Sequence, residues 1–343
     1  MDGLFAIETN QATEWRPAND PTALAVAKTY GLVFPQRLMQ ACKNNTGSTL
    51  YRLEHPGGTH VLRSAPVAEA VMLRDQCRVL MSIPCASMLS PLVSHGEAVV
   101  LAGERAWLAY AWKEGVPFDG RHPDVAVNAC ALALSRLGSC DKGMFPGLRT
   151  CVHDVRAMES LVASLDDLCG PVDPNQDDVA PIRNRLMRWR AVLEGAMLDA
   201  VKACRECDRI LIVHNDLQHA NLLVGSDGAI TILDIEDIVM EDVRISASHA
   251  LFKILRHAIY TGAVSREAIR GTVLPSGLAA LAGAGLDIRS FRRFGLLRIV
   301  SDLARIKAAT ESGNMSLRYD WWKKWSNLLE MLVFTEEINE FAV

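Results

Sequence analysis

The sequence of 343 residues lacks the features of several specialised protein classes. No apolar run approaches the roughly 18 residues that span a bilayer, so we expect no membrane-spanning helix. The start MDGLFAIETNQATEW has no basic stretch followed by an apolar one, which argues against a secretory signal. The formal net charge is −4, so no strongly basic face for nucleic acid is expected. These absences predict a cytoplasmic protein whose partners are neither membranes nor nucleic acids.

Paired metal-binding cysteines and a P-loop are also lacking. The chain has 9 cysteines, and an odd count without a signal sequence favours free thiols. Cys204 and Cys207 form one CxxC, but a structural zinc site needs a second pair at suitable spacing. We therefore expect two thiols near a helix end. No GxxxxGK[ST] segment occurs, which argues against a P-loop enzyme.

Apolar residues make up 50% of the chain, and its length suits two domains or one bilobal unit. In the first part the spacing predicts helices over 21–43, around a break, and over 67–81. Strands are predicted over 48–53, 59–63, 98–101 and 106–112, with turns at 55–58 and 103–104. The pattern over residues 1–113 therefore predicts a small sheet with an inserted helix.

Residues 114–117 resemble a hinge, and the pattern beyond them is mainly helical. The clearest helices are predicted over 124–138, 155–168, 181–205, 247–260, 289–307 and 320–334, with a polar loop at 170–178. Strands at 210–213 and 222–233 interrupt them. We expect residues 114–343 to form a second, mostly helical unit.

The segment HNDLQHANLLV places polar residues between two apolar runs. A buried strand is expected to end at His214, and a hairpin turning at 225–228 should bring Asn221 and Asp234 to the same end. An amide oxygen beside a carboxylate is a hard oxygen site that suits Mg²⁺. Asp216 lies five residues before Asn221 and is free to act on a substrate hydroxyl.

HNDLQHANLL followed by ILDIED resembles the catalytic segment of the aminoglycoside phosphotransferase and choline kinase-like families, which are related to protein kinases. The resemblance implies an α+β, bilobal protein-kinase-like fold with a small β-sheet N-lobe and a mainly helical C-lobe. It implies that Asp216 orients the acceptor hydroxyl and takes its proton, and that His214 braces the loop. Asn221 and Asp234 would bind the Mg²⁺ that bridges the ATP phosphates.

The amino-terminal part offers matching candidates for binding ATP. Arg63, at the end of the strand THVLR, stands where the families use a cation against the phosphates. A helix carboxylate is expected to hold this cation, and the spacing favours Asp75 over Glu69.

The remaining nucleotide candidates lie in a loop and a linker. Gly47 and Ser48 end the small-residue stretch NTGS, where the resemblance places a phosphate loop. Tyr110 and Trp112 belong to the strand whose backbone would pair with adenine.

The sequence departs from the family pattern after Asp234. The families often have a further Asp that bonds back to the catalytic loop, and here Ser246 or Ser248 takes its place. Asp242 is a possible substitute for this carboxylate. Glu236 is either a second metal contact or a surface carboxylate.

Two groups of residues near the carboxyl-terminal end could bind a substrate, but we expect them to have structural roles. Trp321, Trp322 and Trp325 are expected to pack the last helix rather than stack on a substrate. A row of arginines is expected to form a solvated helix face, with an anionic acceptor as the alternative: Arg289, Arg292, Arg293, Arg298 and Arg305.

The predicted function is Mg-ATP-dependent phosphorylation of a hydroxyl on a small molecule, of aminoglycoside, sugar or amino alcohol type. The alternative is a kinase-like regulatory protein that binds ATP but has no catalytic activity. A kinase acting on protein is disfavoured, because no activation segment ending in Ala-Pro-Glu follows Asp234.

Overall fold

The computed structural model describes residues 14–33, 37–41, 48–83, 85, 87–165, 180–234, 237–314 and 320–339. An antiparallel sheet occupies the amino-terminal part, and the remainder is mostly helical. This arrangement confirms the predicted α+β class. Among the helices of the described residues, none combines the length and apolarity needed to cross a membrane.

The amino-terminal sheet has six strands in the spatial order β1-β2-β3-β4-β6-β5. They are β1 (Trp15–Pro17), β2 (Arg37–Ala41), β3 (Thr49–His55), β4 (Gly58–Pro66), β5 (Val100–Ala102) and β6 (Arg105–Ala111). The predicted turns at 55–58 and 103–104 join β3 to β4 and β5 to β6. Each neighbouring pair is antiparallel, and two of the five pairs, β3–β4 and β5–β6, are joined by tight turns.

The predicted helix over 21–43 is wrong in its second half. Helix α1 (Pro21–Thr29) begins after Asp20, whose carboxylate accepts hydrogen bonds from the amides of Thr22 and Ala23 at 2.9 and 3.1 Å. It ends before Gly31, which has a φ of +77°. Residues 37–41 instead form β2 between β1 and β3, because a short apolar run does not distinguish a helix from a strand.

Helix α2 (Ala70–Ser82) ties the sheet to the helical part. It follows a 3₁₀ turn at Val67–Glu69 and buries Leu73, Cys77 and Leu80. The buried Gln76 side chain donates a hydrogen bond to the carbonyl of Ile238 at 3.0 Å. This bond fixes the helix to the strand over residues 238–242.

Helices form most of the remainder. They are α3 (Pro123–Gly138), α4 (Val155–Ala163), α5 (Ala180–Arg188), α6 (Arg190–Arg205), α7 (Val243–Tyr260), α8 (Arg266–Ala268), α9 (Leu274–Ala280), α10 (Ile288–Glu311) and α11 (Asp320–Asn339). The helix predicted over 181–205 is two helices that meet at Trp189. The loop predicted at 170–178 lies outside the described residues. Helix α10 packs against α4, α6, α7 and α11, so its faces are largely covered.

Short strands carry the segment from 210 to 242. Strand β8 (Ile210–His214) pairs with β11 (Ile238–Asp242), which the sequence analysis did not predict. Strand β9 (Leu222–Val224) pairs with β10 (Ile230–Ile232) through the predicted turn at 225–228. Leu222 faces Ile232 in this register, so Asn221 and Leu233 are neighbours at the hairpin's open end.

The predicted hinge at 114–117 includes a short strand, β7 (Val116–Pro117), which pairs with β9. A Cβ on Gly115 would lie 2.9 Å from the carbonyl oxygen of Val224, so glycine permits this close approach. The predicted division between residues 113 and 114 falls between β6 and β7, and it stays a prediction.

Candidate active site

His214 closes β8 and is fully buried. Its Nε2 lies 3.0 Å from the carbonyl oxygen of Leu233, and its Nδ1 lies 3.3 Å from the amide nitrogen of Asp216. Burial lowers the pKa of His214, so the ring is neutral. Nε2–H then donates to Leu233 while Nδ1 accepts from Asp216, and the ring links the 215–221 loop to the end of the hairpin.

Asp216 presents a partly exposed carboxylate, with 27% of its side chain accessible. Gln218 Nε2 and Asn221 Nδ2 donate to Oδ2 at 2.6 and 3.0 Å, and His249 Nε2 lies 3.4 Å from Oδ1. Burial raises the pKa of Asp216, but hydrogen bonds from His249 and Gln218 and the charge of Arg298 outweigh it and hold the pKa below its usual range. The carboxylate is therefore ionised at neutral pH and can accept a hydrogen bond from a substrate hydroxyl.

Asn221 and Asp234 lie at the same end of the hairpin. The Leu233 amide donates to the carbonyl of Asn221 at 2.8 Å, which places Asp234 one residue beyond this contact. The side-chain nitrogen of Asn221 is committed to Asp216, so its Oδ1 is the atom available to a metal. Asp234 has a φ of +60°, a left-handed conformation that Asp tolerates better than most residues.

A third carboxylate, Asp237, joins this site and was missed in the sequence. Oxygen atoms of Asp216, Asp234 and Asp237 all lie within 4.8 Å of one another. Burial and the charges of the other two carboxylates raise the pKa of Asp237 to about 7, although Arg298 opposes them. Crowded carboxylate oxygens beside an amide oxygen fit a hard divalent cation such as Mg²⁺. The available signal was the Asp that ends ILDIED, three residues after Asp234.

Arg63 and Ser48, two of the residues proposed from the sequence to bind phosphate, are in contact. Arg63 lies on β4, is 6% exposed, and its Nη2 donates to Ser48 Oγ at 3.0 Å. Gly47, the neighbouring candidate, lies outside the described residues. The hydroxyl of Ser48 therefore orients the guanidinium at the start of β3.

The structure gives Asp75 different partners from the predicted one. Its carboxylate accepts hydrogen bonds from Arg78 at 2.9 Å and from the amide of Gly147 at 2.7 Å. Among the ion pairs of the described residues, neither Asp75 nor Glu69 pairs with Arg63. The physical reason is the orientation of α2, which turns Asp75 toward the turn at Gly147 in the helical part.

The pairing of β6 changes the assignment of the linker residues. The Trp112 amide donates to the carbonyl of Thr59 at 3.0 Å, so the backbone groups of Tyr110 and Trp112 face β4. The carbonyl of Ala109 points to the opposite edge, where it accepts from Leu92 at 2.7 Å. Ala111 lies two residues after Ala109 on the same strand, so its N–H and C=O also face away from β4. The backbone groups of this segment that face away from β4 therefore belong to Ala111 rather than to Tyr110 or Trp112.

The three residues considered as replacements for the family's further Asp, which are Ser246, Ser248 and Asp242, lie in different surroundings. Ser246 Oγ donates to Glu241 Oε2 at 2.9 Å, and Ser248 is fully buried. Asp242 caps α7 by accepting from the Arg244 amide at 3.0 Å, and it also accepts from the amides of Asp208 and Arg209 at 3.2 Å. Asp242 therefore stabilises the start of α7 and the 208–209 segment rather than the 215–221 loop. Glu236 lies outside the described residues.

The tryptophans of α11 and the arginines of α10 differ in how well they match the expectations from the sequence. Trp321, Trp322 and Trp325 are buried, which confirms that they pack the last helix. The expectation that the arginines form a solvated face is wrong for Arg298, whose side chain is 16% exposed. The physical reason is that α10 is packed against several helices, so one row of its side chains turns inward.

The CxxC cysteines form no metal site among the described residues. The thiols of Cys204 and Cys207 lie 3.5 Å from the carbonyl oxygens of His153 and Ala203. Burial raises the pKa of Cys207 to about 12 and also raises that of Cys204. Both sulfurs are therefore protonated, which suits packing rather than metal binding or nucleophilic chemistry.

Solved structures resemble this chain over nearly its whole length, although no family model and no curated protein sequence matches it. Spectinomycin phosphotransferase APH(9)-Ia, solved with ADP and spectinomycin, has a TM-score of 0.67 at 14% identity, covering 94% of this chain and 100% of that one. The chain has the aminoglycoside phosphotransferase fold. An aminoglycoside phosphotransferase from Alicyclobacillus acidocaldarius gives a TM-score of 0.62 at 13% identity, covering 95% and 97% of the two chains.

One further solved structure is similar in fold. A thermostable mutant of APH(4)-Ia, solved with ADP and hygromycin B, has a TM-score of 0.51 at 13% identity, covering 90% of this chain and 97% of that one. These likenesses confirm the predicted kinase-like fold.

Proposed function

We propose that the protein transfers the γ-phosphate of Mg-ATP to a hydroxyl group of a small molecule. The observation that carries this proposal is the cluster of Asp216, Asp234 and Asp237 oxygens beside the amide of Asn221. A partly exposed carboxylate next to an oxygen-rich cation site is what phosphoryl transfer to an alcohol requires. The likeness in fold to enzymes solved with ADP supports the same conclusion.

Asp216 is the residue that meets the acceptor. The acceptor hydroxyl donates a hydrogen bond to the Asp216 carboxylate, which orients its oxygen toward the γ-phosphorus. A bond forms between that oxygen and phosphorus, the bond from phosphorus to the β–γ bridging oxygen breaks, and ADP leaves. The hydroxyl proton passes to the Asp216 carboxylate and then to solvent.

Asn221, Asp234 and Asp237 would hold the magnesium ion. A bound Mg²⁺ neutralises charge on the phosphate oxygens during transfer. Asn221 would supply Oδ1, since its nitrogen is bonded to Asp216. Asp234 and Asp237 would supply carboxylate oxygens, and the cation would relieve the repulsion that raises the pKa of Asp237.

The nucleotide would lie between residues 1–113 and 114–343, which we propose as the nucleotide-binding lobe and the catalytic lobe. Adenine would pair with the backbone of Ala111 at the edge of β6 that faces away from β4. Arg63, oriented by Ser48, would contact the phosphates. Structures of spectinomycin phosphotransferase with ADP and with AMP support a nucleotide in this fold.

The acceptor class is proposed from the neighbours. Their structures contain spectinomycin and hygromycin B, which supports an aminoglycoside-type compound, a sugar or an amino alcohol. The test is to incubate the protein with Mg-ATP and panels of these compounds and to measure ADP release. Asp216→Asn should lower kcat by about 10²- to 10⁴-fold while ATP binding persists. Full activity in that variant would refute the assignment of Asp216.

A second candidate function is a catalytically silent protein that binds ATP. The observation that favours it is that Asp75 pairs with Arg78 and Gly147 rather than with Arg63. Such a protein would rise in melting temperature with ATP yet release no ADP with any acceptor in the panel.

A further inference from the structure

The catalytic loop is attached to a largely buried arginine from a distant helix. Arg298 of α10 donates from Nη1 to Oδ1 of Asn215, the residue between His214 and Asp216. The Asn215 amide in turn donates to the carbonyl of Asp237 at 2.8 Å. Asn215 is therefore held at both its side chain and its backbone, one peptide away from Asp216.

A buried glutamate holds this arginine. Glu241 is 1% exposed, and its Oε2 lies 3.5 Å from Arg298 Nη1 and accepts from Ser246 Oγ at 2.9 Å. Its other oxygen lies 3.3 Å from His153 Nε2. Burial raises the pKa of Glu241, but His153 and Arg298 outweigh it and keep the pKa below its usual value. The two charges form a buried ion pair with further hydrogen bonds, the arrangement that makes such pairs tolerable.

The contacts on the far side of the pair fix it to the protein core. His153 Nδ1 lies 2.8 Å from Ser301 Oγ, on the same helix as Arg298 and one turn later. Glu241 lies on β11, which pairs with β8 in the register Glu241↔Leu211. The ion pair therefore connects α10, β11 and the segment before α4 at a single point beneath the catalytic loop.

We propose that Arg298, held by Glu241, is a positioning residue that fixes the catalytic loop through Asn215. This inference rests on the proposed function. In this arrangement Ser246 donates a hydrogen bond to Glu241. The pair of Arg298 and Glu241 then anchors the loop at Asn215. A guanidinium presents several donors in a rigid plane, which lets one group serve Asn215 and Glu241 together. Displacement of a reacting group by about 1 Å can cost about 100-fold in rate, so holding Asn215 matters for Asp216.

The test is a double-mutant cycle with Asn215→Ala and Arg298→Met, read as kcat and as KM for ATP. We expect Arg298→Met to lower kcat by about 100-fold and Asn215→Ala by about 10-fold, with KM for ATP changed less than about threefold. The double variant should resemble Arg298→Met alone, because both changes break the same contact. Arg298→Lys should recover little, since one ammonium cannot replace the planar guanidinium.

Arg305→Met is the matched control. Arg305 lies on the same helix, is 64% exposed and pairs with Asp302 at 3.3 Å, so its loss should leave kcat unchanged. A role in folding alone would lower the melting temperature and the yield of Arg298→Met but leave kcat of the folded fraction normal. That result, or additive effects of the two changes, would overturn the proposal.

Two further outcomes are informative. If Arg298→Met does not fold, the Asn215→Ala variant alone tests the proposal. A kcat of Asn215→Ala within about twofold of the wild type would refute the positioning role. If the wild-type protein releases no ADP with any acceptor or with water, the proposed function fails and the positioning role fails with it. An active wild type with an equally active Arg298→Met overturns this inference alone.

Discussion

One nitrogen atom of Asn221 donates two hydrogen bonds to Asp216, to the main-chain oxygen at 2.9 Å and to Oδ2 at 3.0 Å. The proposed metal ligand and the proposed base are therefore mechanically joined. The amide fits both neighbours at once, because its nitrogen is a donor and its oxygen an acceptor. A carboxylate at this position could bind the metal but could not donate to Asp216.

Asn221→Asp should therefore lower kcat by about 100-fold or more, because it places a like charge beside Asp216 and removes both donated bonds. The measurement is kcat at saturating Mg²⁺ together with a Mg²⁺ titration. Gln218→Ala is the control, since Gln218 also donates to Asp216 but is not a proposed metal ligand. Its Mg²⁺ dependence should match the wild type, and an Asn221→Asp enzyme of normal kcat would contradict the assigned role.

Asp237→Asn should stabilise the protein without metal and weaken its response to Mg²⁺. Removing one of three crowded carboxylates relieves repulsion, which we expect to add about 1 kcal/mol to the free energy of unfolding. Mg²⁺ binds the native state and should raise the melting temperature of the wild type more than that of the variant. Asp199→Asn, an exposed change on α6, should leave both quantities unaltered. Equal Mg²⁺ responses in Asp237→Asn and the wild type would exclude Asp237 from the metal site.

His249 should make stability depend on mildly acidic pH. Burial lowers the pKa of His249 from its ordinary 6.5 to about 4, and the hydrogen bond to Asp216 opposes this only in part. Between these two values His249 binds more protons in the unfolded chain than in the folded one, so its contribution to stability falls as the pH is lowered from 7 toward 4. This contribution should fall by about 1–2 kcal/mol by pH 5. Asp237, with its pKa raised to about 7, contributes in the opposite direction over the same range, so the effect of His249 is the difference between the wild type and a His249 variant.

The measurement is urea unfolding of the wild type and His249→Gln at pH 5, 6 and 7. The variant should lose less stability over this range, because glutamine does not titrate. The lowered pKa of Asp216 acts below its ordinary value of 3.8, so it does not overlap with this window. Parallel profiles for the two proteins would show that His249 is not held neutral by burial.

The local part of the site could be predicted from the sequence because a hairpin builds it. Asn221 and Asp234 are joined by the short turn at 225–228, so the alternation of β9 and β10 fixes which residues meet. His214 and Asp216 belong to the same loop, and their spacing is sufficient to place them together. Asp237 was missed because nothing local distinguishes a carboxylate that turns back to the site from one that faces solvent.

The tertiary part could not be predicted in this way. Arg298 lies 83 residues from Asn215, on a helix whose charged row is typical of a solvated face. Its burial follows from how α10 packs against neighbouring helices, which one sequence does not reveal. The same limit applies to Asp75, whose partners depend on how α2 is rotated, and to Ala111, whose outward orientation depends on the register of β6 with β4.

Ala111→Pro tests the proposed pairing of adenine with the backbone of Ala111. Proline removes the N–H that faces away from β4, while the bond from Trp112 to Thr59 remains. It also favours an extended conformation at Tyr110, which that strand residue already has. One lost hydrogen bond is worth about 1 kcal/mol, so the Kd for ADP should rise roughly five- to tenfold with little change in melting temperature.

Ala111→Ser is the matched control, because it changes the exposed side chain but keeps the N–H, and its Kd for ADP by calorimetry should equal that of the wild type. Trp112→Pro should behave in the opposite way, since it removes the donor to Thr59 and so destabilises the end of β6 before it affects the nucleotide. If Ala111→Pro bound ADP as tightly as Ala111→Ser, the adenine would not pair with this N–H, and the nucleotide would have to be held by other groups of the linker.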